Sequence, residues 1–216
     1  MSVADGSRAI AIDADAAVWR AGTRGDARPV VVLLHGRGGD ERDWTAHFAR
    51  VPDAVGAVSL RGPLPRGERW QWVGEPEEAT GSPSAVAAGI LAWLDDELPG
   101  RRIALVGWSQ GAMMALHVAR QEPARVAAVA MVAGFVLGDG APPSASLAAL
   151  PVWFGIGDAD DVIPAGSVAA AIDWLRAHAV LQERTYSGVG HELPSDMASD
   201  ALAFAARHLG AGSGTG

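Results

Sequence analysis

Short apolar stretches alternate along this chain with longer segments in which apolar residues recur at helical spacing. The short stretches predict six core strands, at residues 30–34, 56–60, 103–106, 126–132, 152–156 and 181–186. The longer segments predict helices at residues 41–50, 84–98, 110–121, 166–178 and 196–208. Strands that alternate with helices are typical of a mostly parallel sheet with helices on both faces, so the sequence predicts an α/β fold.

The helix predicted at residues 84–98 has the clearest limits. Ser84 is its predicted N-cap, and the pair Pro99 and Gly100 is predicted to end it. Residues 9–20 predict a leading hairpin at the edge of the sheet, although alanine is a weak strand former.

One domain is expected, because the chain has 216 residues, 49% of them apolar, and a single hydrophobic core can serve a chain of this size. We predict that this domain spans residues 1–209 and that residues 210–216 form a flexible tail. Two connections, at residues 61–83 and 136–150, are long enough to carry function. Neither is large enough to form a separate cap domain.

Charge and composition exclude several kinds of chemistry and partner. The net charge is −8 and the 17 basic residues, all of them Arg, form no basic block, so no nucleic-acid partner is expected. The chain has no Cys and no Asn, which excludes disulfides, cysteine nucleophiles and N-linked glycans. Its longest apolar runs are far shorter than the roughly 20 residues of a membrane span. Residues 1–17 do not resemble a secretory signal, so the expected location is cytoplasmic.

A candidate nucleophile lies in the segment Gly107-Trp108-Ser109-Gln110-Gly111, which fits the pattern G-x-S-x-G. In this pattern a sharp turn between a strand and a helix exposes the serine oxygen, and the glycines tolerate the crowding on both sides. The pattern is a weak signal by itself. A predicted strand directly before it and a predicted helix directly after it strengthen the prediction of Ser109 as the nucleophile.

A serine nucleophile needs a histidine to take its proton and a carboxylate to orient that histidine. His191 is the predicted base, because it follows the last strand in a glycine-rich loop, whereas four of the other histidines lie in predicted helices. The carboxylate stays open among Asp158, Asp160 and Asp161, which share one loop, with Asp139 as a less favoured candidate. The chain order serine, aspartate, histidine is the one expected for α/β-hydrolases.

Acyl transfer also needs hydrogen-bond donors for the oxyanion that forms during the reaction. The glycine-rich segment at residues 35–39 follows a predicted strand, so we predict the backbone amides of Arg37 and Gln110 as these donors. His35 is predicted to order the loop. A phosphate-binding loop is disfavoured, because the chain has no Lys and its glycines lack the required spacing.

Four segments together resemble, in the same order, the motifs of the phospholipase/carboxylesterase family of α/β-hydrolases, in its small bacterial branch. They are residues 34–40, 107–116, 157–164 and 190–192. The family pattern G-x-x-D-x-x-[VI]-P selects Asp160 among its neighbours, and the oxyanion-hole positions of the family match Arg37 and Gln110. The resemblance implies an α/β-hydrolase fold without a separate cap domain. It also implies hydrolysis of short to medium acyl esters with no cofactor or metal, often by a homodimer.

The same resemblance suggests where the acyl group binds. Trp70, Trp72 and Trp108 are predicted to contact substrate, since the first two lie in a segment that resembles the border of the acyl pocket in the family. Trp108 and Arg37 stand where Phe and Leu are frequent. Glu75, Glu77 and Glu78 predict a solvated acidic loop, which would disfavour anionic substrates if it bordered the site.

The leading hypothesis is therefore a serine carboxylesterase that forms an acyl-enzyme intermediate on Ser109. A lysophospholipase or an acyl-thioesterase is an alternative within the same family. A non-catalytic protein of this fold that binds a small apolar ligand is an alternative of another class. A relative of dienelactone hydrolases is disfavoured, because their usual nucleophile is cysteine.

Overall fold

The computed structural model describes residues 9–74, 81–137 and 145–211. The strands in these ranges are β1 (Val18–Trp19), β2 (Val30–Leu34), β3 (Gly56–Leu60), β4 (Leu64–Arg66), β5 (Arg69–Gln71), β6 (Ile103–Trp108), β7 (Val126–Val132), β8 (Pro151–Gly157) and β9 (Val180–Tyr186). The α-helices are α1 (Pro83–Glu97), α2 (Gln110–Gln121), α3 (Ala165–His178) and α4 (Ser195–Ala206). Short 3-10 helices lie at Thr45–Arg50, Pro123–Arg125 and Ala145–Ala149, and a π-helical turn at Arg207–Ala211 follows α4.

The strands in the described ranges form a seven-stranded sheet in the order β1-β3-β2-β6-β7-β8-β9, together with a separate hairpin of β4 and β5. β1 runs antiparallel to β3, and the other neighbouring strands of the large sheet run parallel. All five residues of β2 have an exposed fraction of 0%, so both faces of the sheet are covered at its centre. The predicted fold, a mostly parallel sheet with helices on both faces, is confirmed.

The six predicted core strands are all present. Three have the predicted limits, and the other three are one or two residues longer. The leading hairpin predicted at residues 9–20 is wrong, because the segment contributes only the two residues of β1. Its alanines favour strands weakly, and the Asp13 carboxylate instead accepts hydrogen bonds from the amides of Asp15 and Ala16, which forms a local turn.

Two helix predictions need correction. The helix predicted at residues 41–50 is only a 3-10 helix at Thr45–Arg50, because the chain before it forms turns rather than helix. The N-cap of α1 is Ser82, whose hydroxyl accepts a hydrogen bond from the amide of Ala85 at 3.2 Å. Ser84, the predicted cap, instead contacts His117 Nε2 at 3.3 Å.

The connection at residues 61–83 contains the β4–β5 hairpin, which the sequence did not predict. Its strands have only three residues each, which is too short to show a clear alternation of apolar and polar positions. Glu75 to Glu78 and Asp139 lie outside the described residues, as do residues 212–216 of the predicted tail. None of the helices in the described ranges is long and apolar enough to cross a bilayer.

Candidate active site

Ser109 lies at a sharp turn between β6 and α2, near the centre of the parallel sheet. Its backbone has φ 53° and ψ −117°, a conformation that residues other than glycine rarely adopt. Holding such a residue costs about 1–3 kcal/mol, so the surrounding contacts must enforce the turn.

The glycines on both sides of Ser109 allow the backbone contacts that enforce this turn. A Cβ on Gly107 would lie 2.2 Å from the carbonyl oxygen of Gly111. A Cβ on Gly111 would lie 2.3 Å from the carbonyl oxygen of Leu34, at the end of β2. Any side chain at these positions would collide with backbone, so the G-x-S-x-G pattern here reflects the geometry of a nucleophile turn.

The structure brings together the three side chains predicted as a catalytic triad. His191 Nε2 lies 2.9 Å from Ser109 Oγ, and His191 Nδ1 lies 2.8 Å from Asp160 Oδ2. The three residues follow β6, β8 and β9, and the carboxyl ends of parallel strands meet at one edge of a sheet. Their catalytic roles stay a prediction, for which this contact geometry is the structural basis.

The structure also separates the neighbouring aspartates. Asp160 contacts His191 with one carboxylate oxygen and accepts hydrogen bonds from the amides of Val162 and Ile163 with the other, at 2.9 and 3.0 Å. Asp158 instead accepts hydrogen bonds from the Gly188 amide and the Ser187 hydroxyl, in the loop after β9. Asp161 is exposed. The aspartate that the family pattern selects is therefore the one beside the imidazole.

The Asp160 carboxyl is charged at neutral pH. Burial by itself would raise its pKa, but hydrogen bonds from His191 and from the amides of Ile163 and Val162 outweigh burial, so the pKa lies below its usual 3.8. An ionised carboxylate at this point accepts the Nδ1 proton of His191. That tautomer leaves Nε2 as the acceptor for the proton of Ser109.

A tight turn at residues 36–39 carries the Arg37 amide, one of the two predicted oxyanion donors. The Gly39 amide donates to the Gly36 carbonyl at 3.0 Å, and His35 Nδ1 donates to the same carbonyl at 2.7 Å. Since the peptide bond is planar and trans, fixing the Gly36 carbonyl also fixes the direction of the Arg37 N–H. The other predicted donor, the Gln110 amide, is at the start of α2, where the first N–H groups have no partner within the helix.

His35 orders this turn, as predicted. Its exposed fraction is 0%, and its Nε2 accepts a hydrogen bond from the Gly62 amide at 2.9 Å. Burial lowers the pKa of His35 below its usual 6.5, so the ring stays neutral and keeps one donor and one acceptor nitrogen. The neutral form satisfies both contacts at once, whereas a protonated ring would lose the acceptor for Gly62.

Because burial lowers the pKa of His35, we expect the free energy of unfolding to depend on pH. The unfolded chain binds a proton at His35 below about pH 6.5 more readily than the folded chain does, so stability is full above that pH and is lost as the pH falls. Each such histidine contributes a slope of at most about 1.4 kcal/mol per pH unit. Urea unfolding between pH 8 and 5 is expected to show a smaller decline in His35→Asn than in the parent protein.

The parent protein is also expected to decline through two other histidines, His47 and His208, because burial lowers the pKa of both. His35→Asn therefore reduces the slope without removing it. The quantity compared is the change in unfolding free energy with pH, which does not depend on the absolute stability of the variant. Equal slopes in His35→Asn and the parent protein would contradict the lowered pKa of His35.

The three tryptophans predicted to contact substrate have different environments. Trp72 has an exposed fraction of 0% and offers no surface to a substrate, so its predicted contact is wrong. Its ring nitrogen instead donates to the His35 carbonyl at 2.8 Å. Trp108 is partly buried and stacks on His191, with 5.8 Å between ring centroids. Trp70 is partly buried beside the 36–39 turn, under the Arg61 guanidinium. Contacts of Trp70 and Trp108 with substrate stay predictions.

Two polar contacts in the loops around the site were missed by the sequence analysis. The Gln110 side chain accepts a hydrogen bond from the Trp72 amide at 2.7 Å and donates one to the Val73 carbonyl at 2.9 Å. Glu41, with a side chain only 3% exposed, forms two hydrogen bonds with Arg61, which lower the pKa of the Glu41 carboxyl. Both contacts join segments far apart in the chain, so no local pattern indicates them.

The fold and this site together define the α/β-hydrolase class, in which a serine at a strand–helix turn faces a histidine from the loop after a late strand. The model of the phospholipase/carboxylesterase family matches residues 78–209, which is more than half of the chain. The chain belongs to this family. The predicted family is confirmed, and the predicted enzyme class, a serine hydrolase of carboxylic esters, is the class of that family.

Two curated proteins are similar to parts of the chain. NocK of Nocardia uniformis subsp. tsuyamanensis, an esterase by name, is 30% identical over 155 residues, which cover 68% of this chain and 44% of NocK. The biotin biosynthesis bifunctional protein BioHC of Cellvibrio japonicus is 35% identical over 120 residues, which cover 53% of this chain and 21% of that protein. The chain thus spans less than half the length of either relative.

Solved structures match a larger share of this chain and of their own length. The Bacillus cereus carboxylesterase has 19% identity and a TM-score of 0.74, with 89% of this chain and 93% of that chain covered. Esterase PE8 has 25% identity and a TM-score of 0.69, and the match covers 88% of this chain and 96% of PE8. The Zea mays acyl-protein thioesterase 2 has 18% identity and a TM-score of 0.69, and the match covers 89% of this chain and 97% of the thioesterase. These similarities extend the shared fold over most of the described chain.

Proposed function

We propose that this protein is a serine carboxylesterase that hydrolyses short- to medium-chain acyl esters of small molecules through an acyl-enzyme intermediate. The observation that carries the proposal is the continuous chain of hydrogen bonds from Ser109 Oγ through His191 to Asp160. Family membership supports the same chemistry. The expected cytoplasmic location and homodimer stay predictions.

In the first half of the reaction, Ser109 Oγ attacks the ester carbonyl while His191 Nε2 takes the serine proton. The carbonyl oxygen becomes an oxyanion, which the amides of Arg37 and Gln110 stabilise. His191 then returns the proton to the alcohol oxygen, the C–O bond breaks, and the acyl group remains on Ser109. Asp160 holds the imidazole tautomer and stabilises the imidazolium that forms in between.

In the second half, His191 takes a proton from water, and the resulting hydroxide attacks the acyl carbon of the ester on Ser109. Collapse of the second tetrahedral intermediate releases the carboxylic acid and returns the proton to Ser109. Every proton and electron pair in this sequence moves between the chain's own groups, the substrate and water.

A fluorophosphonate probe tests the proposal, because it modifies a serine only when a neighbouring base activates it. We expect one covalent adduct, located by mass spectrometry on the peptide that contains Ser109, and none in Ser109→Ala. Nitrophenyl esters from acetate to palmitate are expected to be hydrolysed fastest at short to medium chain length. A protein that is neither labelled nor active on any of these esters would instead support the non-catalytic ligand-binding alternative.

A second panel distinguishes oxygen esters from thioesters. Matched oxygen esters and thioesters of equal acyl length share the acyl-enzyme, so they differ only in the first half of the reaction. A higher kcat/KM for oxygen esters is the expected result. A higher kcat/KM for thioesters would favour the acyl-thioesterase alternative.

A further inference from the structure

The turn at residues 36–39 needs support from outside itself. It contains three glycines, and Gly38 has φ +74°, so side-chain sterics restrict the turn little. On one side, His35 Nδ1 donates to the Gly36 carbonyl. The opposite side, at Gly38 and Gly39, is held by the β4–β5 hairpin, which has no part in the proposed chemistry.

The backbone of β5 pairs with the turn. The Gly38 amide donates to the Trp70 carbonyl at 2.8 Å, and the Trp70 amide donates to the Gly39 carbonyl at 2.9 Å. The turn is thus joined to the edge of the hairpin by two backbone hydrogen bonds.

The Arg69 side chain adds three contacts beside that pairing. Its Nε donates to the Gly38 carbonyl at 3.1 Å, and its two terminal nitrogens reach Asp40 at 2.7 Å and Asp43 at 3.1 Å. A single planar guanidinium therefore holds the turn and the segment that follows it in one arrangement. A lysine ammonium lacks the rigid fork that serves several acceptors at fixed angles.

These contacts are more suited to fixing geometry than to stabilising the fold. The Arg69 side chain is 49% exposed, and ion pairs at that exposure contribute little to stability. Catalysis is far more sensitive to position, since a displacement of about 1 Å can lower a rate about 100-fold.

We propose that Arg69 is a positioning residue for the oxyanion hole, which holds the Gly38 and Asp40 side of the turn so that the Arg37 amide points at the reacting carbonyl. The proposal rests on the serine-esterase function proposed above. Arg69 itself touches neither substrate nor the reacting atoms in this mechanism.

The test compares Arg69→Ala and Arg69→Lys with a matched control, Arg66→Ala. Arg66 is exposed and pairs with Arg69 across the hairpin, so its removal changes the same charge on the same element. Among the described residues, Arg66 forms none of the contacts that join the hairpin to the 36–39 turn. Each variant is assayed for kcat and KM on nitrophenyl butyrate and for inhibition by a trifluoromethyl ketone with the same acyl chain. That ketone adds to Ser109 and forms an oxyanion like that of the reaction.

Arg69→Ala is expected to lower kcat by about 10- to 100-fold with KM changed less than about twofold. The inhibition constant of the ketone is expected to rise by the same factor as kcat/KM falls, because both depend on the oxyanion donors. Arg69→Lys should lose less than Arg69→Ala, and Arg66→Ala should match the parent protein. A purely structural role would not move the ketone inhibition constant together with kcat.

Three results would overturn the proposal: kcat and ketone inhibition unchanged in Arg69→Ala, a change in KM alone, or the same loss in Arg66→Ala. If Arg69→Ala does not fold, as judged by circular dichroism, Asp43→Asn replaces it as the isosteric variant that weakens one arm of the guanidinium contact. A parent protein without turnover or fluorophosphonate labelling would refute the proposed function. An active parent protein with unaffected Arg69 variants would refute only the role of Arg69.

Discussion

Ser109→Ala is expected to lower kcat for nitrophenyl esters by about 10⁵-fold and to leave the fold intact. Removing the hydroxyl removes the nucleophile, and the remaining groups cannot form the acyl-enzyme. A small residual rate over water is expected, because the Arg37 and Gln110 amides still stabilise an oxyanion when water attacks directly. Steady-state assays measure the loss of kcat. Pre-steady-state assays should show an acylation burst in the parent protein and none in Ser109→Ala.

A second substitution at the same position separates chemistry from stability. Ser109 has φ 53°, which strains alanine as much as serine, so Ser109→Ala should unfold near the parent temperature. Ser109→Gly relieves the strain and is expected to be equally inactive but more stable, by roughly 1 kcal/mol. Retained turnover in purified Ser109→Ala, or equal stability of the alanine and glycine variants, would contradict this account of the turn.

Asp160→Asn is expected to lower kcat by roughly 10³- to 10⁴-fold with little change in shape. The asparagine side chain can present an N–H to His191 Nδ1, which favours the tautomer whose proton is on Nε2. In that tautomer His191 cannot take the proton of Ser109. Measurement of kcat and KM across pH 6 to 9 tests this, because the pKa of Asp160 is lowered and the parent carboxylate is ionised over that whole range.

Asp158→Asn is the matched control, two residues away in the same loop. Asp158 bonds the Gly188 amide and the Ser187 hydroxyl rather than the imidazole. Its substitution is expected to leave kcat within about threefold and to lower the unfolding temperature slightly, because a charge-assisted hydrogen bond weakens. Comparable losses of kcat in the two variants would mean that the loop, rather than the Asp160–His191 contact, is what matters.

Much of the fold could be predicted, because the strands at the centre of the sheet are nearly continuous apolar stretches. β2, β3 and β7 have the predicted limits, since helices cover both faces and each residue of such a strand must be apolar or small. The β4–β5 hairpin was missed for the opposite reason. Its two strands have only three residues each and are partly exposed, so they show no sequence pattern of their own. What the structure shows instead is backbone pairing of the hairpin with the 36–39 turn.

The candidate site divides in the same way. Ser109 could be singled out because the glycines on either side of it mark special backbone geometry that is visible in the sequence. His191 could be singled out because it follows the last strand in a glycine-rich loop. Among the three aspartates, spacing alone left the choice open and only the family pattern selected Asp160. The prediction that Trp72 contacts substrate was wrong, because the sequence does not distinguish an aromatic residue that faces the substrate from one that faces the core.

By itself, the sequence determined the α/β class, the family and the order of the reactive residues, since these depend on local periodicity and on glycines required by tight turns. Only the tertiary structure decided that Trp72 is buried, that the Gln110 side chain joins the loop at Trp72, and that Arg69 holds the 36–39 turn. Those facts depend on contacts between loops from different strands. Such contacts follow from how the sheet brings its carboxyl ends together, and no neighbouring residues along the chain encode them.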